Sequence, residues 1–154
     1  MLLIKFKLNT VLNTNIPIKI ITIENDGCHI LVIVKINGKK ANLLIDTGAS
    51  RTVFDNTKIK KFIPKDHKVF KDNEKLSTGI GTNKLESQVT VLKKLELGNV
   101  IVKNYNAIVL DMKHVIQSYS SLKLPVIDGV LGGDLLTKYK AIINYKDKIL
   151  KLTS

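Results

Sequence analysis

Asp46-Thr47-Gly48-Ala49-Ser50 is the stretch of this chain best suited to chemistry. Leu43-Leu44-Ile45 precedes it, so the carboxylate of Asp46 is expected at the end of a buried strand. The small residues after it let the backbone turn tightly and leave open space beside the carboxylate. Such a group can move protons. It can also do nothing more than cap its own loop as an Asx turn. The triplet alone does not decide between the two, and the larger pattern must.

Other chemical arrangements are weaker. Gly79-Ile80-Gly81 suggests a phosphate loop, but the sixth residue of a G-x-G-x-x-G fingerprint is Lys84, and no strand–turn–helix unit surrounds it. Cys28 and His29 are neighbours on an expected strand, so their side chains point to opposite faces and Cys28 reads as a core residue. His29, His67 and His114 lack ligand-type spacing, and no metal or other cofactor is expected. Arg51 is either a surface residue or half of a planar ion pair near the site, with Asp134 or Asp55 as partner. Asp128-Gly129 reads as a turn, and Asp134 as the N-cap of a short helix.

The elements that must position Asp46 are strands. Ile16 to Ile23 and His29 to Asn37 are strand-like, and Asn37-Gly38 is a two-residue turn leading into Lys39 to Ile45. Thr52-Val53-Phe54 resumes an apolar run, and residues 55–76 suggest a short helix and a loop. Ser77-Thr78-Gly79-Ile80-Gly81-Thr82 is a glycine-spaced turn between segments that could pair as a long hairpin. Gln88 to Leu97 and Val100 to Leu110 flank a turn at Gly98-Asn99. Met112 to Leu122 is polar and fits a helix or an ordered loop. Val126 to Gly133 is apolar and glycine-rich, Asp134 to Tyr139 reads as a short helix, and Ala141 to Tyr145 and Ile149 to Leu152 close the chain as strands. Many short strands separated by turns indicate an all-β barrel or sandwich.

The bulk composition agrees. A chain of 154 residues suits one domain, with no linker or repeat. Hydrophobic residues make up 44% and aromatics only 5%, so the core must be Ile, Leu and Val, which pack well on a pleated surface. The net charge of +12 comes from 24 Lys and the single Arg51. The Lys residues are scattered, without the clustered stripe, Arg or aromatic platforms of a nucleic-acid module, so a solvated surface is expected and no nucleic-acid partner. The one cysteine, Cys28, precludes an intrachain disulfide. The apolar run at Met1 breaks after three residues, and no apolar window is long enough for a membrane span, which makes the cytoplasm the expected location.

Taken in order, three elements make the chain resemble the retropepsin-like aspartic peptidases, the retroviral-type enzymes and their bacterial relatives. Leu44-Ile45-Asp46-Thr47-Gly48-Ala49-Ser50 matches the catalytic loop, and Ser77 to Thr82 stands where that family has its flap tip. Val130-Leu131-Gly132-Gly133-Asp134-Leu135-Leu136 resembles its apolar-apolar-Gly element and adjoining helix. The match covers roughly residues 29–153 of a single domain. It implies an all-β closed barrel with one or two short helices, Asp46 as catalytic carboxylate, and no cofactor. Thr47 would bond across a dimer axis, and Gly48 would leave its carbonyl free for the substrate backbone. Thr78, Gly79, Ile80 and Gly81 would cover a peptide or protein substrate, with Ser50 also in contact with it. Leu131, Gly132 and Asp134 would support the site. Ser50 stands where retroviral enzymes carry a second Asp, and residues 111–126 look like an insertion that shapes either the dimer interface or the cleft.

Two carboxylates held close cannot both ionise, so they share a proton and act as a water-activating pair. The chain contains no second D-T-G or D-S-G, so the pair must be Asp46 and its symmetry mate in a homodimer. A hydroxyl at position 49 could donate to the carboxylate, and Ala49 cannot, which predicts activity nearer to neutral pH. Two rivals remain. One is a catalytically idle dimeric peptide-binding module of the same fold, which would be free to lose its Asp. The other is a basic nucleic-acid-binding β-domain, recognisable by steeply salt-dependent binding.

Overall fold

The computed structural model describes residues 12–24, 27–67, 71–72 and 87–154. The expected flap tip, with Thr78, Gly79, Ile80 and Gly81, lies outside the described residues.

The Asn37-Gly38 turn is where local chemistry speaks most clearly. Both residues take positive φ, 49° and 84°, as a type I′ turn requires. It joins β2 (Gly27–Ile36) to β3 (Lys39–Ile45), and the two strands pair from Ile36↔Lys39 to Leu31↔Leu44. A second hairpin joins β6 (Gln88–Leu97) to β7 (Val100–Leu110) through Gly98, whose φ is +59°. Between the hairpins lie β4 (Val53–Asp55), a 3₁₀ turn at Ile59–Lys61 and the short β5 (Lys71–Asp72). After β7 come α1 (Lys113–Ser121), β8 (Gly129–Leu131), α2 (Gly133–Lys138), β9 (Ile142–Asn144) and β10 (Ile149–Thr153).

The strands β6-β7-β4-β8-β3-β2 are neighbours in that order, and β2 then pairs with β6 to close a six-stranded barrel. Closure rests on Lys35↔Glu96 and Ile36↔Leu95. It is continued by Asn37, whose N–H donates to the Lys94 carbonyl at 2.8 Å and whose Oδ1 accepts the Lys94 N–H at 3.0 Å. The first strand, β1 (Asn13–Ile23), spans two layers. Its first half pairs with β10 and its second half with β2. Cys28 lies opposite Thr22 on that second pairing and is exposed, not in the core as the sequence suggested, because this end of β2 overhangs the barrel wall.

The barrel interior keeps the two-residue period of its strands. Ile30, Val32, Val34 and Ile36 point inward from β2, and meet Leu43, Phe54, Leu92, Leu95 and Leu131. Each side chain of this size contributes roughly 1.5–3 kcal/mol when fully buried. Leu31, on the opposite face of β2, is buried as well, which breaks the alternation. It joins a second apolar cluster outside the barrel with Met112, Tyr119, Ile127 and Val130. The polar-looking segment after β7 is thus a helix that seals this outer cluster, with Tyr119 as its buried residue.

Asp55 ends β4 and organises the turn after it. It is buried, and its Oδ1 accepts the N–H groups of Thr57 and Lys58, each at 2.9 Å, and the Thr57 hydroxyl. Its Oδ2 accepts the Met112 N–H at 3.1 Å, which ties β4 to the start of α1. Burial works to raise this carboxyl's pKa, but the four donors together favour the charged form more, and the net shift is downward. A carboxyl depressed in the folded state stabilises the fold above its unfolded pKa of about 3.9, and that contribution fades as pH falls through the lower folded value. Asp55→Ala is therefore expected to cost on the order of 2–4 kcal/mol at neutral pH, since it strands buried N–H groups. Asp55→Asn should flatten the acid limb of Tm against pH. Melts taken between pH 7 and pH 3 check both, and parallel curves for Asn and wild type would contradict the assignment.

Candidate active site

Strand β3 carries the chain to Asp46 between β2 on one side and β8, running parallel, on the other. The Asp46 N–H donates to the Leu131 carbonyl at 3.1 Å, the last bond of that ladder, and fixes where the carboxylate leaves the sheet. The Gly48 N–H then donates to Asp46 Oδ1 at 2.8 Å. The Asx-type bond is therefore real, but it occupies only one of the two oxygens. A Cβ at position 48 would sit 3.2 Å from Asp46 Oδ1, a tight contact that would push on the carboxylate.

The loop after Asp46 is held from below by the start of α2. The Gly133 N–H donates to the Ala49 carbonyl at 2.7 Å, and the Asp134 N–H to the Ser50 carbonyl at 3.1 Å. These N–H groups belong to the first turn of a helix, where no intrahelical acceptor exists. The loop supplies the acceptors. Gly132 lets the two segments touch, since a Cβ there would lie 2.4 Å from the Arg51 carbonyl oxygen.

Asp134 sits inside the first turn of α2, behind Gly132 at the N-cap, so it is not the cap that the sequence suggested. Its carboxylate reaches across to the loop. Oδ1 accepts the Thr52 N–H at 2.8 Å and the Thr52 hydroxyl at 2.7 Å, and Oδ2 accepts the Tyr105 hydroxyl at 2.8 Å. The fully buried Thr52 hydroxyl also accepts the Gly132 N–H at 3.0 Å. Burial, and after it the charge and hydrogen bond of Asp134, raise the Tyr105 pKa, so this phenol stays a donor. Nothing local links positions 52 and 105 to 134, and the sequence reading missed both residues. Their bonds to Asp134 span 82 and 29 positions.

Asp128 also departs from expectation. Gly129 opens strand β8 instead of forming a turn, because Asp128 bridges strand ends: its N–H donates to the Asn42 carbonyl and its Oδ2 accepts the Asn42 N–H, each at 2.8 Å. Lys61 neutralises the other oxygen of this buried carboxylate.

Around Asp46 lies an open cavity of about 400 Å³. Ala49, Val53, Ile108, Leu110 and Val130 give it an apolar floor, and Gly48, Ser50, Arg51 and Ser87 complete the lining. Ala49, Val53, Leu110 and Val130 also belong to the outer cluster sealed by α1, so the 111–126 segment backs the cleft wall. Tyr119 of α1 stacks on His29 of β2 at 5.4 Å between ring centroids, and its hydroxyl is hydrogen-bonded to His29 Nδ1. Of the two readings of Arg51, the exposed one holds: no ion pair with Asp134 or Asp55 forms, and both carboxylates are engaged by the donors named above. Among the described residues, no group of three His, Cys, Asp or Glu side chains comes together as a metal site. No helix among them is long and apolar enough to cross a membrane.

A six-stranded closed barrel with a D-T-G loop seated on an apolar-Gly-Gly-helix element defines the retropepsin-like class. Known proteins agree. A family profile described as aspartyl protease matches residues 32–135, so the chain belongs to that family. A retropepsin-like aspartic protease from Rickettsia conorii aligns over 93% of this chain and 91% of its own, at 19% identity and a TM-score of 0.57. The retroviral protease-like domain of Ddi1 from Leishmania major aligns over 79% and 86%, at 13% identity and a TM-score of 0.52. EIAV protease, in complex with the inhibitor HBY-793, aligns over 80% and 99%, at 23% identity and a TM-score of 0.50. These likenesses establish the fold. A search of curated protein sequences gives no match.

The geometry predicts a sharp difference between two changes at Asp134. Asp134→Ala strands the buried Thr52 N–H and should cost about 2–4 kcal/mol. Asp134→Asn keeps an oxygen for Thr52 and can donate its amide to the Tyr105 oxygen, so its cost should stay near 1 kcal/mol or below, about the net value of one hydrogen bond. Urea unfolding of both variants checks this, and equal losses would contradict it.

Proposed function

We propose that the protein is an aspartic endopeptidase whose active centre forms when two copies bring their Asp46 side chains together. The observation that carries this reading is the state of Asp46. It is exposed at a strand end, lines an apolar cavity, and has one oxygen held by Gly48 while the other is left without a partner among the described residues. The other aspartates around it, Asp55, Asp128 and Asp134, are saturated with structural donors.

Two Asp46 carboxylates sharing one proton supply both halves of peptide hydrolysis. The charged partner takes a proton from a water, whose oxygen attacks the peptide carbonyl carbon. The protonated partner donates to the carbonyl oxygen. Collapse of the tetrahedral intermediate breaks the C–N bond, and the proton taken from water goes to the leaving amine. No metal or organic cofactor enters this scheme. The substrate would lie extended in the cleft as an added strand, contacting Gly48 and Ser50 through backbone groups.

The surface beside Asp46 suits a second copy. Thr47 is exposed and borders a hollow lined by Ala141 and Ile143. Among the described residues the adjacent β9 pairs on one side only, with β10, and Ile142 and Tyr145 are 58% and 55% exposed there. An open strand edge flanked by large apolar groups is a surface that natural proteins cover.

Asp46→Asn should lower peptide-library cleavage on the order of 10³-fold or more, as loss of a central catalytic group does. Wild-type specific activity should fall on dilution as the pair dissociates. Equal cleavage by mutant and wild type rules the reading out. Peptide binding without cleavage by either protein would favour the idle-module rival.

Ala49 leaves the pair without a hydroxyl donor at that position. Ala49→Ser should move the acidic limb of the kcat/KM profile down by roughly half to one pH unit, because the added donor favours the charged form. An unmoved limb, or a wild-type optimum below about pH 3, would contradict this role for position 49.

A further inference from the structure

Arg51 is the single Arg in a chain whose other 24 basic residues are Lys, and it lines the same cavity as Asp46. Its backbone is held by its neighbours. The Arg51 carbonyl lies against Gly132, the preceding Ser50 carbonyl accepts the Asp134 N–H, and the next residue, Thr52, is buried and doubly bonded to Asp134. The side chain, by contrast, is exposed. Arg51 also borders a second hollow with Tyr105 and Asp134, yet it forms no ion pair there, and the ion pairs among the described residues are Lys61–Asp128 and Lys94–Glu96. The Arg51 backbone is therefore fixed beside an apolar hollow that the residue lines, and its exposed guanidinium, whose charge also acts on the Tyr105 hydroxyl, has no ion-pair partner among the described residues.

A guanidinium recognises a carboxylate through two parallel N–H donors, a geometry that Lys cannot reproduce. The floor made by Ala49, Val53, Ile108, Leu110 and Val130 favours a hydrocarbon stem. We propose that Arg51 is a specificity-determining residue of this cleft, selecting a substrate side chain with an apolar stem and a terminal carboxylate, Glu before Asp. This rests on the peptidase reading above and adds a substrate class to it.

The net charge of +12 would draw any acidic peptide toward the protein, so long-range attraction must be separated from recognition at one subsite. Near 1 M salt the Debye length is about 3 Å, which removes the general attraction and leaves a direct contact largely intact. The test uses the full-length protein and peptides that differ at one position only, as Glu, Gln or Lys, at low and high salt. In wild type, kcat/KM should favour Glu over Gln about tenfold at one pair of substrate positions, placed symmetrically about the cleaved bond, and not at others, at both salt concentrations. The ratio should fall below about threefold in Arg51→Gln and be partly retained in Arg51→Lys. In Arg51→Glu, Lys should become the preferred residue at those positions. Each ratio is taken within one protein, so a general loss of activity cancels, and an inverted preference cannot come from misfolding.

Equal rates for Glu and Gln in wild type would overturn the assignment, as would a preference that survives Arg51→Gln or vanishes in high salt. Where Asp46-dependent cleavage persists, those results remove Arg51 alone and leave the peptidase standing. Absence of any Asp46-dependent cleavage would remove both.

Discussion

The carboxylate of Asp134 is the contact on which the rest of the site depends. It receives three donors from two other parts of the chain, the Thr52 N–H and hydroxyl and the Tyr105 hydroxyl. Removing it would leave buried polar groups unpaired, which is costlier than the bonds themselves are favourable. One side chain on α2 thereby locks the loop after Asp46 against the helix beneath it and against β7 beside it. The Gly132 contact adds a steric limit to this electrostatic one, because the loop and helix backbones meet where a methyl group would not fit. The position of Asp46 thus depends on residues that never touch it as well as on its own bonds to Leu131 and Gly48.

The division of labour among acidic residues comes from scarcity. Asp and Glu together number 13 against 25 basic residues, so carboxylates are the limiting resource of this sequence. Asp55 gathers donors from the turn after β4 and from the start of α1, and Asp128 joins strand ends and accepts Lys61. Each is buried, and each is satisfied. Asp46 has the opposite character: it stands at the surface with one oxygen uncommitted. A catalytic carboxylate needs that combination of fixed backbone and free oxygen, and the structural carboxylates nearby supply the first without competing for the second.

The sequence was legible where structure is local. The period of β3 and β7 gave their limits residue for residue, and Asn37-Gly38 announced a hairpin through its tolerance of positive φ. It was misleading where a residue's role is set by a distant partner. Asp134 has the look of a helix cap, but the nearer N–H groups go to loop carbonyls and its side chain goes to Thr52. Asp128-Gly129 has the composition of a turn, yet pairing with Asn42 draws Gly129 into an extended strand between β3 and β4. Cys28 sits in an apolar run, yet the strand end it occupies extends past the barrel. The polar segment after β7 shows little apolar pattern because only one face of α1 is covered, and that face is what backs the cleft wall.

Symmetry has a consequence for the cleft. In the proposed pair of identical chains each half would contribute the same floor and the same Arg51, so the subsite would repeat on both sides of the reacting bond. A peptide has direction and no two-fold axis, and it therefore meets equivalent surfaces with inequivalent side chains. Discrimination must come from how well each single side chain suits one shared hollow, since the protein cannot tune the two sides separately. The loop that carries Arg51 is clamped by Asp134 and Gly132, so its backbone would need no ordering when the guanidinium pairs, and the entropy lost would be that of one side chain. The same clamp that holds the loop of Asp46 thus also holds the backbone of Arg51, the residue proposed to recognise the substrate.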